Sequence, residues 1–153
     1  MNRIFALGIA MMGWLHGLAQ DDNLDGYVHE STINLMVGYQ VFSNHYLELG
    51  VAKRSTSYAV ISTGGFLGGE VRLGEGWLLG PKIGVWYGGV LAAGAQLIAY
   101  TDLDKFAFRL RPEIGLGAGP AKFTYGYNIP LNASDFPGIN SHCVSLTFFW
   151  DFR

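Results

Sequence analysis

The sequence predicts an all-β fold: an eight-stranded, antiparallel, up-and-down transmembrane β-barrel. Three observations predict it. Apolar residues recur at every second position through most of the chain after Ala19, turn-forming residues cut that region into short segments, and the face opposite the large apolar residues is built from small residues and charges. A period of two marks a strand, because successive side chains leave it on opposite sides.

Each strand follows from that period. Residues 31–42 set Ile33, Leu35, Val37, Tyr39 and Val41 against Thr32, Asn34, Met36, Gly38 and Gln40. Residues 45–54 set Leu47, Leu49 and Val51 against Glu48, Gly50 and Ala52. Residues 66–73 set Leu67, Val71 and Leu73 against Gly68, Glu70 and Arg72. Residues 77–87 set Leu79, Pro81, Ile83, Val85 and Tyr87 against Gly80, Lys82, Gly84 and Trp86. Residues 90–101 are the weakest strand, with small residues on both faces. Residues 105–117 (KFAFRLRPEIGLG) set Phe106, Phe108, Leu110, Pro112, Ile114 and Leu116 against Ala107, Arg109, Arg111, Glu113, Gly115 and Gly117. Residues 122–130 set Phe123, Tyr125, Tyr127 and Ile129 against Thr124, Gly126 and Asn128. Residues 142–152 set Val144, Leu146, Phe148, Trp150 and Phe152 against Cys143, Ser145, Thr147, Phe149 and Asp151.

Gly, Ser, Asn, Asp and Pro clusters separate these segments at 43–44, 54–57, 74–76, 88–89, 101–105, 117–121 and 132–138. Connections this short make chain neighbours antiparallel partners. The motif Pro-x-Ile-Gly occurs at 81–84 and 112–115. Proline cannot donate to a ladder, so bulges are expected near Pro81 and Pro112.

At 153 residues the chain suits one domain. Half of it is apolar and 14% is charged, with a net charge of -2, which excludes a disordered chain and a basic nucleic-acid binder. The lone Cys143 excludes an internal disulfide framework. The start has Arg3, an apolar run from Ile4 to Ala19, and small residues Gly17 and Ala19 ahead of Gln20, the pattern of a secretory signal peptide. Residues 1–19 are therefore expected to be that signal, 20–30 a polar leader, and 31–153 the barrel domain.

The two faces decide which solvent the barrel meets. In water, the large apolar face would fill the interior, and an eight-stranded barrel has room for little more than its own core. The outward face would then be Gly, Ala, Ser and Thr with few charges, poor cover for a soluble protein. In lipid the assignment inverts: large residues face hydrocarbon and small ones fit a narrow lumen. The lumen then receives Glu48, Glu70, Arg72, Lys82, Arg109, Arg111 and Glu113, a set close to neutral. Buried charges must be paired, and this balance permits it. Tyr39, Phe42, Tyr46, Tyr58, Trp77, Tyr87, Tyr100, Phe106, Phe123 and Trp150 fall near strand ends, where interfacial aromatic girdles lie.

The signal-like start, eight alternating strands and aromatic final strand VSLTFFWDF (144–152) resemble the small bacterial outer-membrane β-barrels, the class of the eight-stranded outer-membrane protein A-like barrel. The resemblance is one of pattern over the mature chain, and Arg153 after Phe152 departs from the family's aromatic end. It implies residence in a Gram-negative outer membrane, both termini periplasmic, lipid as the surrounding partner and insertion by the barrel-assembly machinery. A monomer is expected, and no nucleic-acid partner.

The expected role is structural or interaction-based, with the lumen closed by paired charges and no enzyme activity; the loops are short for an elaborate receptor surface. Three alternatives stand beside it: a narrow ion or solute channel, a lipid-modifying outer-membrane hydrolase, and a soluble secreted barrel that binds a small ligand. The hydrolase alternative would use Ser43 or Ser141 as nucleophile and His45 or His142 as base. Neighbours on a strand point to opposite faces, which opposes a dyad within either Ser–His pair, and Asp135 is the one acid at hand to orient it. His29, His45 and His142 share no ligand spacing, so no metal and no cofactor are expected. The Gly-rich stretches 64–69 and 115–119 open no helix, so they are not phosphate loops.

Overall fold

A computed structural model describes residues 30–57, 61–74, 76–118, 120–134 and 136–151. The expected signal peptide, the leader up to His29, Tyr58, Asp135, Phe152 and Arg153 lie outside the described residues.

The chain forms β1 (Glu30–Val41), β2 (His45–Ser57), β3 (Ile61–Leu73), β4 (Leu79–Gly88), β5 (Leu91–Thr101), β6 (Phe106–Ala118), β7 (Ala121–Tyr127), β8 (Ile129–Pro130) and β9 (His142–Asp151). All pairings are antiparallel. Chain neighbours β1 to β6 pair in order, β7 and β8 both pair with β6, and β9 joins β7 to β1. The sheet therefore closes on itself, and since β7 and β8 are two pieces of one strand, it is an eight-stranded up-and-down barrel. Closure leaves no free edge. The connections after β1, β3, β5 and β8 share one end of the barrel, here the loop end; the start of β1, the end of β9 and the connections after β2, β4 and β6 share the other, the turn end.

The strand cores match the alternation, but several boundaries move. β2 and β3 are longer than read, reaching Ser57 and starting at Ile61, because hydrogen bonding continues through Ser and Thr pairs that carry no apolar signal. The 122–130 segment is broken at Asn128, whose backbone N–H turns to the carbonyl of Ser141.

Both prolines sit without bulges, which corrects the expectation. The β5–β6 pairing keeps one register from Leu91↔Leu116 to Thr101↔Phe106, straight past Pro112. On the other side, the β7 pairing (Glu113↔Gly126) and the β8 pairing (Arg109↔Pro130) also share one register. The ladder simply stops between them. Phe108 directs its N–H to Asn132 and its carbonyl to Leu131, so even positions of β6 face the β7–β8 side, the side where Pro112 has no donor. Pro81 repeats the device: β4 and β5 pair at Leu79↔Thr101 and again at Lys82↔Ile98, with the rungs between them unmade. A missing donor deletes a rung; it does not require an extra residue.

Inward positions alternate around the whole barrel. Two apolar clusters flank a polar middle: Tyr46, Leu78, Ile98, Tyr100, Ala107 and Phe136 toward the loop end, and Met36, Ala52, Phe66, Trp86 and Phe149 toward the turn end. Tyr46 and Tyr100 are buried inside at 1% and 0% exposure, not on an outer girdle as their places near strand ends suggested. The outer wall carries large apolar side chains that stay more than half exposed, including Ile33, Leu49, Ile114, Leu116 and Trp150.

The 131–141 connection folds back over the loop end. The Tyr46 hydroxyl donates to the Gly138 carbonyl (2.6 Å) and the Arg72 guanidinium to the Pro137 carbonyl (2.7 Å). Asn44 N–H donates to Asn140 Oδ1 (2.9 Å), and Asn140 returns a bond to the Asn44 carbonyl (2.7 Å). Gly138 has φ +106°, a conformation that favours glycine, and a Cβ there would also push the Arg72 guanidinium from its place against the loop.

Candidate functional site

The polar middle of the barrel is a layer of charged side chains held inside by strand parity. Glu48, Glu70, Lys82, Arg111, Glu113 and Lys122 are each at most 6% exposed. Three carboxylates face three cations, so the layer is neutral when all are ionised. That balance matters because an unpaired ion at this depth is strongly unfavourable.

Glu70 is the hub. Arg111 grips it with both terminal nitrogens (3.0 and 2.9 Å), Lys82 Nζ lies at 2.9 Å, and Gln40 donates at 2.7 Å. The Tyr100 hydroxyl donates to Glu70 Oε1 and accepts from Arg111 (2.5 Å). Arg111 spends its other donors on Gln40 Oε1 (2.9 Å) and Asn128 Oδ1 (2.8 Å). Lys82 also pairs with Glu48, whose second oxygen accepts from Thr147 (3.0 Å). A two-point guanidinium–carboxylate contact fixes direction as well as distance. Room for the network comes from glycine: a Cβ on Gly38 would lie 2.1 Å from Glu48 Oε2.

Glu113 centres a second cluster. It accepts from Lys122 (2.5 Å), Gln96 (2.7 Å) and Thr124 (3.3 Å). The ring of Phe66 stands near both ammonium groups, 5.9 Å from Lys82 Nζ and 5.7 Å from Lys122 Nζ, with Trp86 also 5.7 Å from Lys122. Such cation–π contacts let an apolar ring share the layer with charges.

Of the seven expected lumen charges, Glu48, Glu70, Lys82 and Arg111 come together, and Glu113 joins the second cluster. Arg72 and Arg109 sit nearer the loop end and bond to loop carbonyls: Arg72 to Pro137 and Gly76, Arg109 to Ser134. Sequence reading missed Lys122, although its parity with Thr124 and Asn128 marks it as inward. It also missed Tyr100 and Gln96, because small residues on both faces of β5 hid which face was which.

The expected Ser–His candidates lie elsewhere, on the outer wall at the loop end. The Tyr39 hydroxyl is 2.6 Å from His45 Nδ1, and the Tyr125 hydroxyl 2.5 Å from His142 Nδ1. Ser43 lies in the β1–β2 connection, and Ser141 immediately precedes β9. Cys143 is buried, 3.7 Å from the Gly126 carbonyl.

Space is distributed unevenly. Two open clefts flank the Phe136–Gly138 segment at the loop end, of about 770 Å³ and 580 Å³. Near the turn end, a space of about 10 Å³ lies among Arg54, Trp86, Lys122 and Phe149, no more than a single water needs.

No family model matches the chain, and no curated protein or solved structure matches it.

Proposed function

We propose that this protein is an integral outer-membrane β-barrel with a lumen closed by its charge network, serving a structural or interaction role. One observation carries the reading: large apolar side chains stand uncovered around the outer wall while ionised groups are paired inside. Water would impose the opposite arrangement, whereas lipid favours apolar residues outside and a closed sheet without free backbone groups. β1 begins and β9 ends at the same end of the barrel, consistent with two periplasmic termini. The paired layer and the buried apolar cluster at the turn end support a plug over a conducting path.

Fractionation with a heat-modifiability gel tests the location. The folded barrel should stay with the outer membrane and shift its mobility only on boiling; recovery in a soluble fraction overturns the reading. Planar-bilayer recordings test closure: a silent bilayer is expected, and steady ion-selective steps would replace the plug with a narrow channel.

A further inference from the structure

Residues 136–141 cap the loop end, and their ties run inward as well as across the rim. Phe136 belongs to the inner apolar cluster with Tyr46, Leu78 and Tyr100, and the Ile139 N–H turns back to the Phe136 carbonyl (3.2 Å). Across the rim, Asn140 exchanges hydrogen bonds with Asn44 in the β1–β2 connection. Inward, the Asn140 carbonyl accepts from Asn128 Nδ2 (2.6 Å), and Asn128 Oδ1 accepts from Arg111 Nε (2.8 Å). Arg111 in turn grips Glu70. A continuous buried chain therefore runs Glu70–Arg111–Asn128–Asn140, from the middle of the lumen to the rim.

Asn128 is the joint. A carboxamide offers an oxygen that accepts and an NH2 that donates. The guanidinium takes the oxygen, which aims the NH2 at the cap. Without Arg111 in place, the amide loses the partner that sets its orientation. The backbone of Asn128 holds the cap too, since its N–H goes to the Ser141 carbonyl (2.8 Å) where the strand breaks. A second tie starts from the same hub. Tyr100 donates to Glu70, its ring lies 6.0 Å from that of Tyr46, and the Tyr46 hydroxyl donates to the Gly138 carbonyl (2.6 Å). Phe136, Pro137 and Gly138 line both loop-end clefts, so the cap is the partition between them.

We propose that residues 136–141 are a cap latched from inside the barrel: the Glu70–Arg111 pair holds it shut through the positioning residue Asn128, and release of that pair frees the cap and joins the two clefts into one vestibule. Coupling of this kind is reciprocal, so loosening the cap also loosens the hub. The latch depends on the interior alone and stands apart from what surrounds the outer wall.

Hydrogen exchange in the full chain folded in detergent micelles tests it. The Ile139 and Asn44 amides report on the cap, and mid-strand amides of β1 and β2 report on the barrel as a whole. Glu70→Gln should speed exchange at the cap amides about tenfold more than at the mid-strand amides. Glu113→Gln, in the cluster whose partners are Gln96, Lys122 and Thr124, should change that ratio by less than about twofold. Asn128→Ala should free the cap as Glu70→Gln does, and combining the two should add little, because both cut one chain. If Glu70→Gln does not fold, Asn140→Ala reads the coupling in reverse. That variant loosens the cap at the rim and should speed exchange of the Arg111 Nε–H about threefold. Cap amides that merely follow the strands in Glu70→Gln, an equal response to Glu113→Gln, additive effects in the double variant, or an unchanged Arg111 Nε–H in Asn140→Ala would each overturn the latch.

Discussion

The two clusters of the buried layer are built on different plans. The Glu70 cluster spans the lumen: Gln40 comes from β1, Glu48 from β2, Glu70 from β3, Lys82 from β4, Tyr100 from β5 and Arg111 from β6. The Glu113 cluster runs along the wall, taking Gln96, Glu113 and Lys122 from the neighbouring strands β5, β6 and β7. One carboxylate in the first serves two cations; in the second it serves one. Ladder hydrogen bonds already hold neighbouring strands together. A cross-lumen cluster adds what they cannot, a tie between opposite walls. Arg111 and Glu70 are not neighbours through the sheet at all, since β4 and β5 stand between β3 and β6.

The largest effect should come from removing the hub. Glu70→Ala strands Arg111 and leaves Lys82 with Glu48 alone, and should destabilise the folded barrel by about 3–5 kcal/mol, the cost of breaking a buried pair from one side. Urea unfolding followed by Trp fluorescence measures it, and a loss under about 1 kcal/mol would deny Glu70 its central place. Next, two double-mutant cycles compare the clusters directly. Glu70→Gln with Arg111→Met should couple by about 2–3 kcal/mol and Glu113→Gln with Lys122→Met by about half that, within the usual range for contacting residues. Equal couplings would erase the distinction between wall and lumen. A smaller change is expected from Lys122→Met alone, about 2 kcal/mol, with most of it recovered by adding Glu113→Gln, since replacing a whole pair is far milder than orphaning half.

The smallest effect lies outside the barrel wall. In the β5–β6 connection, the Asp102 carboxylate accepts N–H bonds from Lys105 (2.9 Å) and Asp104 (3.1 Å). The Lys105 bond leads in holding its pKa below the ordinary aspartate range. A depressed folded pKa contributes stability at neutral pH, and that contribution is lost as pH falls through the lowered value. An NMR titration of the Asp102 carboxyl carbon should show a midpoint below that of an unstructured aspartate. A midpoint at or above it would show that this loop is not pre-formed.

Much of the fold is legible in the chain, and particular residues show why. The alternation around Arg109, Arg111 and Glu113 assigns inside and outside for β6, because strand parity is a local property. β5 was harder: with Ala92, Ala93, Gly94 and Ala95 in succession, parity carries no contrast, and Gln96 and Tyr100 went unrecognised as lumen groups. Pro112 misled for a different reason. A sequence shows that a donor is missing but not which neighbouring strand faces the gap.

Parity also named most members of the charge layer without saying who bonds to whom. Residue type and spacing determined the eight-stranded class, most of the inward set and its near-neutral balance, since each depends on a strand and its immediate neighbours. Partner choice depends on closure. Only when β9 meets β1 and β6 meets β5 do Gln40, Glu70 and Arg111 come to share one space, and only then do Lys82 and Arg111 divide a single carboxylate while Glu113 is left to Lys122.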